Sequence, residues 1–354
     1  MDPLLTPPIQ PMLALLVRRL PRDGLIYEPK WDGFRCLAFR HHGDVDLRSR
    51  HQRPLARYFP ELVQAFLGLP DDHVVLDGEI VVVGAAGFDF AALMSRLHPA
   101  ASRVERLREE WPAAFIAFDL LLLGDADLTD RPFGERRETL EKLLDGVDHP
   151  LLLTPATEAA DVAQRWLEEL RGSGVDGVVA KPRDLRYEPG RRAMVKVKRE
   201  RTAECVVAGM RMFAGDPPLA ASMLLGLYDG RGALIHVGVV SSMSDRERQR
   251  LLEVLLPLTV PLEGHPWERG FGLERSPLGR LAGSAARWAP DMDLDWVPLR
   301  PDQVCEVAYD QLDDHRFRFP ARLVRWRPDR DPRSCTLDQL EVFPTAPLEL
   351  LDIR

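Results

Sequence analysis

Glu28-Pro29-Lys30-Trp31-Asp32-Gly33-Phe34-Arg35 brings an amine that can act as a nucleophile, a carboxylate, a glycine and a guanidinium into eight residues. A lysine attacks an electrophile only as the neutral amine, so a working Lys30 requires other cations or desolvation nearby to lower its pKa. Other stretches of the chain supply such groups. Asp77 and Glu79 in Leu76-Asp77-Gly78-Glu79-Ile80, and Lys196 and Lys198 in Met194-Val195-Lys196-Val197-Lys198, are spaced two apart, so each pair shares one face of a strand. Two lysines on one face repel unless an anion lies between or above them, which suggests a seat for phosphate. A solvated edge strand would carry the same pair. In Asp176-Gly177-Val178-Val179-Ala180-Lys181 an acid and a base flank a short apolar strand. That acid suits a hard divalent cation such as nucleotide-bound Mg2+, or simply an Asp-Gly turn entering a strand. Phe118 in Phe115-Ile116-Ala117-Phe118-Asp119 is an aromatic that can stack on a base or fill a core.

With 354 residues, 45% of them hydrophobic, the chain can bury a real core and is expected to form two domains. The segment from Met1 to Gln10 lacks the basic-then-apolar order of a signal, and no apolar run reaches membrane-spanning length, so a soluble cytosolic protein is expected. Cys36, Cys205, Cys305 and Cys335 are far apart and form no CxxC pair, which argues for reduced, buried thiols and against a zinc site or a disulfide framework. A formal charge of −8 excludes polyanion coating by bulk positive charge but leaves room for local basic stretches.

From Gly24 to about Arg201, β-rich runs (Cys36–Arg40, His73–Val83, Ala113–Leu123, Val175–Lys181, Ala193–Arg199) alternate with helical periodicity over Arg57–Leu67, Phe133–Leu144 and Asp161–Leu170. Beyond Arg201 the texture changes. Cys205–Phe213, Ser222–Tyr228 and Ala233–Ser241 read as strands, the last two joined at Asp229-Gly230-Arg231-Gly232. Ser244 and Glu247 have capping-box spacing ahead of an apolar helical pattern. Strands at Val304–Tyr309 and Arg322–Trp326 complete a small barrel with one helix, the OB-like pattern, while Pro257 to Pro301 reads as irregular. The expected fold class is α+β: a mixed α and β domain over residues 1–201 with antiparallel sheets and flanking helices, then an OB-fold β-barrel domain over residues 202–354.

K-x-D-G alone would arise by chance in about one chain in ten of this length. What is specific is the order: Lys30-x-Asp32-Gly33-x-Arg35, Ser49-Arg50, Asp77-Gly78-Glu79, Phe118-Asp119, Asp176-Gly177 with Lys181, Lys196-x-Lys198, and an Arg-rich segment near the carboxy terminus. That ordered set resembles the covalent nucleotidyltransferase superfamily of ATP-dependent DNA ligases, RNA ligases and mRNA capping enzymes. Pro11-Met12-Leu13-Ala14, Arg318-Phe319-Pro320 and Arg325-Trp326-Arg327-Pro328-Asp329-Arg330 look most like the short bacterial ligase C type and the ligase module of ligase D.

The resemblance implies that Lys30 attacks the α-phosphate of ATP to form lysyl-AMP, that AMP passes to the 5′-phosphate at a nick, and that the 3′-hydroxyl then displaces it. Asp32 would orient the reacting ends, Arg35 would contact phosphate, and Arg50 with Glu79 would meet the ribose and the nicked end. Phe118 would stack on adenine with Glu28 near its amino edge and Lys181 in the same pocket. Asp176, with Glu79, would hold Mg2+ or Mn2+. Lys196 and Lys198 would neutralise the α-phosphate and lower the pKa of Lys30. The OB domain would close over the nucleotide, and Arg325, Arg327 and Arg330 would orient the departing pyrophosphate. Two positions depart from the family pattern: its fourth motif commonly has Glu where Asp176 stands, and its last motif ends in Lys where Arg330 stands.

With 29 residues ahead of Lys30, too few for the helical DNA-binding domain of larger ligases, the implied grip on nicked duplex DNA comes from two domains. Arg183, Arg186, Arg191, Arg192, Arg199, Arg201, Arg316, Arg318, Arg322 and Arg333 are its candidate cations. The expected protein is a monomer acting in DNA repair, with repair proteins as further partners, no membrane, and a cytoplasmic, nucleoid-associated location in a bacterium. The alternatives are an RNA-end-joining ligase, a capping-type guanylyltransferase, or a nucleic-acid-binding module that has lost its chemistry.

Overall fold

The structure, a computed structural model, describes residues 6–84, 87–97, 100–170, 174–198, 201–213, 219–270, 295–313 and 315–340. The chain divides into two compact units, Met1–Arg199 with Val342–Arg354, and Glu200–Glu341. In the first unit β1 (Leu13–Val17), β2 (Leu25–Trp31), β3 (Phe34–His41) and β4 (Asp44–Ser49) lead to α1 (Pro60–Leu67). β5 (His73–Gly84) and β6 (Gly87–Phe88) precede α2 (Phe90–Arg96) and α3 (Ala101–Glu110). β7 (Ala113–Leu123), β8 (Ala126–Asp127), α4 (Phe133–Leu144), β9 (Leu151–Leu153), α5 (Ala160–Glu169), β10 (Val175–Pro182) and β11 (Arg192–Val197) follow. The second unit holds β12 (Arg201–Phe213), β13 (Leu219–Tyr228), β14 (Leu234–Val240), α6 (Asp245–Leu255), β15 (Val297–Tyr309), β16 (Leu312–Asp313), β17 (Arg316–Phe317) and β18 (Arg322–Trp326).

Two sheets build the first unit. One runs β1-β11-β10-β2; the other runs β4-β3-β5-β7-β8, with β6 on β5 and β9 on β7. Pairing is antiparallel except for β1 on β11 and β9 on β7. The central strands are buried on both faces, which is why they read as nearly unbroken apolar runs. In β3, Cys36 and Ala38 enter one core with Phe66, Phe115 and Leu140, whereas Leu37 and Phe39 enter another with Met12, Tyr187 and Met194. The latter core draws on residues of both sheets.

The helix expected over Arg57–Leu67 begins at Pro60, where a residue without an N–H suits the first helical position, and a 3-10 turn occupies Ala56–Tyr58. All four cysteines are buried and free. No helix of the described residues is long and apolar enough to cross a membrane.

In the second unit a five-stranded sheet runs β14-β13-β12-β15-β18. The Ala321 N–H donates to Val239 O at 2.7 Å, and Ala321 bridges Val240, returning the chain ahead of β18 to β14 and closing an OB-type barrel. Ser244 caps α6 in a full capping box with Glu247. The irregular reading of Pro257 to Pro301 needs correction at its end, because β15 starts at Val297; residues 271–294 lie outside the described residues. Two prolines disguise this strand. β15 pairs with β12 up to Gln303 and again at Pro298, and Pro301 falls in the gap, where no ladder donor is needed.

His236 in β14 is fully buried, and burial, with Arg316 and Arg211 adding to it, pushes its imidazole down to about 3. A lowered histidine pKa means the folded chain refuses a proton that the unfolded chain accepts below about pH 6.5. Its contribution to stability is therefore present above that pH and is lost as pH falls toward 3. We expect about 2 kcal/mol of this loss by pH 5, absent from His236→Gln. Denaturant unfolding of both proteins at pH 7.5 and pH 5 checks it; identical acid sensitivity would contradict it.

Candidate active site

Lys30 lies on β2, and the alternation of a strand puts Glu28 on the same face. The face of this sheet continues through Val179 and Lys181 of β10 and Arg192, Met194 and Lys196 of β11. Opposite stand Arg35 of β3, Arg50 just after β4, Glu79 of β5 and Phe118 of β7. Together they line a cleft of about 230 Å³.

Two bulges aim the side chains. Between β10 and β2, Val175 pairs with Trp31 and Val178 with Pro29, so β10 carries one extra residue around Asp176-Gly177. Gly177 has φ +145°, and a Cβ there would sit 2.1 Å from Val197 O, so no other residue fits. Between β5 and β7, Asp77 pairs with Asp119 and Gly78 with Ala117, which leaves Phe118 as the extra residue, turned into the cleft. At the β2–β3 turn, a Cβ on Gly33 would lie 2.2 Å from Ile80 O. The tight approach this permits lets the Gly33 N–H donate to Glu79 Oε1 at 3.1 Å.

Asp176 Oδ2 is the electrostatic centre, accepting from Lys30 Nζ at 2.8 Å and from Lys198 Nζ at 2.8 Å. Burial alone would raise the Asp176 carboxyl, but the two ammonium groups prevail and hold it below its ordinary value. Burial, followed by repulsion from Lys30 and Lys198, lowers Lys196. Burial raises Glu79 to about 7, against the pull of Lys30 and Arg35, and Asp32 in the turn adds to the rise. At the other end of the cleft Glu28 and Lys181, each 2% exposed, pair at 2.7 Å, and Lys181 Nζ also donates to Phe118 O at 2.8 Å.

Placement differs from expectation at several residues. Lys198 lies just beyond β11, so the two lysines do not share one strand: Lys196 faces the cleft and Lys198 holds Asp176. Arg35 gives its Nε and Nη2 to Asp77 at 2.6 Å each, and its guanidinium lies 4.4 Å from the Phe118 ring centroid, covering one ring face. Asp77 itself is fully buried and also takes the Tyr187 hydroxyl at 2.6 Å. Arg325, Arg327 and Arg330 form a cluster within the second unit: Arg325 Nε on Glu306 at 2.6 Å, Arg330 Nε on Glu204 at 2.7 Å, and Arg327 on Glu204 and Asp329. Glu204 and Glu306 stand directly opposite each other on β12 and β15, a juxtaposition that the arginines neutralise. Among the DNA-backbone candidates, Arg199 lies outside the described residues.

Arg136 and Arg137 of α4 went unread in the sequence. Arg136 makes a bidentate pair with Asp119 at 2.8 and 2.9 Å, and Arg137 reaches Glu28 at 3.3 Å. The signal was present: both occupy the core-facing stripe Phe133, Arg136, Arg137, Leu140, Leu144, where solvated arginines do not belong.

A strand-borne lysine set among acids and cations in a cleft between two sheets, followed by an OB barrel, defines a nucleotidyltransferase-type ligase. The profile of the ATP dependent DNA ligase domain matches residues 3–198, and that of the ATP dependent DNA ligase C terminal region matches residues 218–330. DNA ligase C2 of Mycolicibacterium smegmatis is 50% identical over 345 residues, covering 97% of each chain. DNA ligase C of Mycobacterium tuberculosis is 48% identical over 341 residues, 95% of this chain and 94% of that one. The multifunctional non-homologous end joining DNA repair protein LigD of the same organism is 34% identical over 310 residues, 83% of this chain and 39% of that one. The chain belongs to the ATP-dependent DNA ligase family.

Proposed function

We propose that Lys30 is the residue this ATP-dependent ligase charges with AMP, and that the enzyme uses it to seal 3′-hydroxyl/5′-phosphate nicks in duplex DNA. The observation that carries this is the single Asp176 oxygen holding both Lys30 and Lys198 at 2.8 Å, with Lys30 and Lys196 lining the same cleft. A triphosphate entering the cleft offers these ammonium groups a more highly charged anion, which opens the Lys30–Asp176 pair. Lys30 then gives a proton to water and its nitrogen attacks the α-phosphorus; the bond to the bridging oxygen breaks, pyrophosphate leaves with the electron pair, and the new N–P nitrogen gives its second proton to water. Lys196 and Lys198 stabilise the charge on the phosphoryl oxygens. The 5′-phosphate of the nick next displaces Lys30 from the AMP, and the 3′-hydroxyl displaces AMP, with Asp32 and Arg50 orienting the ends.

Adenine has a donor at N6 beside an acceptor at N1, and the Glu28–Lys181 pair offers an acceptor beside a donor, the complementary order. Phe118 supplies a ring face for stacking. Asp176 and Glu79 are the carboxylates that would hold Mg2+ or Mn2+. Among the described residues no group of three metal-ligating side chains occurs, but Mg2+ is commonly held by one or two carboxylates plus substrate phosphates and water, so these two fit it. When bound, the cation would neutralise phosphate charge.

Incubation with α-labelled ATP and Mg2+ tests the reading: label should appear on the protein in an acid-labile bond and move to nicked DNA. Nicked duplexes with deoxy termini should be sealed, whereas a strict requirement for RNA ends would favour an RNA-end-joining ligase. The relatives named for DNA repair support a repair role; we further propose that the enzyme works as a monomer alongside other repair proteins, at the nucleoid in the bacterial cytoplasm. Grip on DNA should be weak. Arg183 is engaged by Glu138 and Glu158, Arg186 by Asp130 and Arg191 by Glu188, so DNA phosphates must compete with these pairs. We expect affinity for a nicked duplex, measured by fluorescence anisotropy, to fall about a hundredfold or more between about 50 and 200 mM salt. An unchanged affinity would refute it.

A further inference from the structure

We infer that Arg137 is a positioning residue for nucleotide selection: it pins the Glu28 carboxylate so that the cleft takes an adenine nucleotide and rejects a guanine nucleotide. The inference rests on the proposed reading of this cleft as the ATP site.

Arg136 and Arg137 occupy adjacent positions on the inner side of α4, yet their surroundings differ. Arg136 is saturated by fixed protein groups: both Asp119 oxygens and the carbonyls of Arg131 and Leu185 at 2.6 and 2.8 Å. That pattern ties α4 to β7 and to the chain after β10. Arg137, 7% exposed, anchors its Nε on Glu141 at 2.7 Å and extends Nη1 to Glu28 Oε1 at 3.3 Å. Glu28 Oε2 is meanwhile held by Lys181 at 2.7 Å. Charge balance does not explain Arg137, because Lys181 alone neutralises Glu28. Burying a second cation beside the pair carries a desolvation penalty, so its retention calls for another contribution.

That contribution is orientation. A carboxylate held through one oxygen can turn about its last torsion, which is soft. Held through both oxygens from two sides, it cannot. Guanine presents an acceptor at O6 and a donor at N1, the reverse of the adenine order. A Glu28 free to turn or slide by one atomic position could meet the guanine N1–H while Lys181 meets O6. Only a fixed carboxylate rejects guanine, because the wrong base then leaves buried polar groups unpaired.

Initial rates of Lys30 labelling with α-labelled ATP and α-labelled GTP test this in wild type and Arg137→Met, whose side chain keeps the length and apolar stem. The ATP:GTP ratio of kcat/KM should fall about tenfold or more in Arg137→Met and recover in part in Arg137→Lys. A merely structural role would lower both rates together and leave the ratio unmoved, and that result overturns the inference. Should Arg137→Met fail to fold, Glu141→Gln loosens the anchor of the same arginine at a half-exposed site; a smaller drop in the ratio supports the inference and an unchanged ratio overturns it. Wild type that takes no label from ATP would defeat the proposed function itself, a distinct outcome.

Discussion

Lys30→Arg and Lys30→Ala both take no label from α-labelled ATP above background and form no adenylated DNA from a plain nick, while nicks that already carry 5′-AMP are still sealed to a measurable extent by Lys30→Arg. The first part follows from the reaction, since without a neutral amine at this position no phosphoramidate can form. The arginine variant separates charge from nucleophilicity. Its guanidinium can keep the ion pair with Asp176, whose oxygen lies 2.8 Å from the Lys30 nitrogen, but it stays protonated at any working pH and cannot attack. A clustered-cation role for Lys30, binding phosphate without bonding to it, predicts substantial label-independent sealing by Lys30→Arg from ATP and a plain nick. Closure of a pre-adenylated nick needs only attack by the 3′-hydroxyl, so it isolates the remaining machinery. Persistent label on Lys30→Ala would place the nucleophile elsewhere.

The ordered motifs were legible because their chemistry is carried by residue type and spacing within short segments. Lys30 with Asp32, Asp176 with Lys181, and Lys196 with Lys198 could be named without knowing what faced them. What stayed hidden depends on partners far away in sequence. The bulge that turns Phe118 into the cleft is a mismatch between β5 and β7, and neither strand shows it alone. Asp77 and Glu79 were paired correctly as one strand face, yet they part in role: Asp77 is fully buried among donors, whereas Glu79 reaches the cleft and is raised to about 7. Arg35 was expected on phosphate, and the fork it would use is engaged by Asp77 from the neighbouring strand. The acids that hold Arg327 and Arg325, Glu204 and Glu306, come from β12 and β15, outside the arginine-rich segment itself. The Lys30 strand went unmarked because Pro29 lowers its β signal, although β10 pairs with it at that residue.

Asp77→Asn is expected to destabilise the first unit by about 2 to 4 kcal/mol, at the lower end of what breaking a buried ion pair does because Arg35 keeps some exposure. Asp77 accepts three hydrogen bonds of 2.6 Å, two from the Arg35 guanidinium and one from the Tyr187 hydroxyl. Tyr187 in turn accepts the Met12 N–H at 3.0 Å, and Arg35 Nη2 reaches Met12 O at 3.3 Å. One carboxylate thus joins β5, β3, the segment ahead of β1 and the loop before β11. Burial alone would lower the Arg35 pKa, but Asp77 outweighs that and raises it, with Tyr187 and Glu79 adding to the rise, so the guanidinium depends chiefly on Asp77. An asparagine of the same shape offers one acceptor and turns an N–H2 toward donors, leaving a cation without compensation and a hydroxyl with a like partner. Against a typical domain stability of about 5–15 kcal/mol the loss is large. It should also reach the chemistry, because Arg35 lies over Phe118 in the cleft: KM for ATP in the adenylation step should rise more than kcat falls. Tyr187→Phe, which removes one neutral donor and leaves the ion pair whole, should lose only about 1 kcal/mol and leave KM close to wild type. Urea unfolding followed by tryptophan fluorescence, with adenylation kinetics on the same preparations, separates the two variants. Equal stability of Asp77→Asn and wild type would mean that Arg35 is held by something other than Asp77.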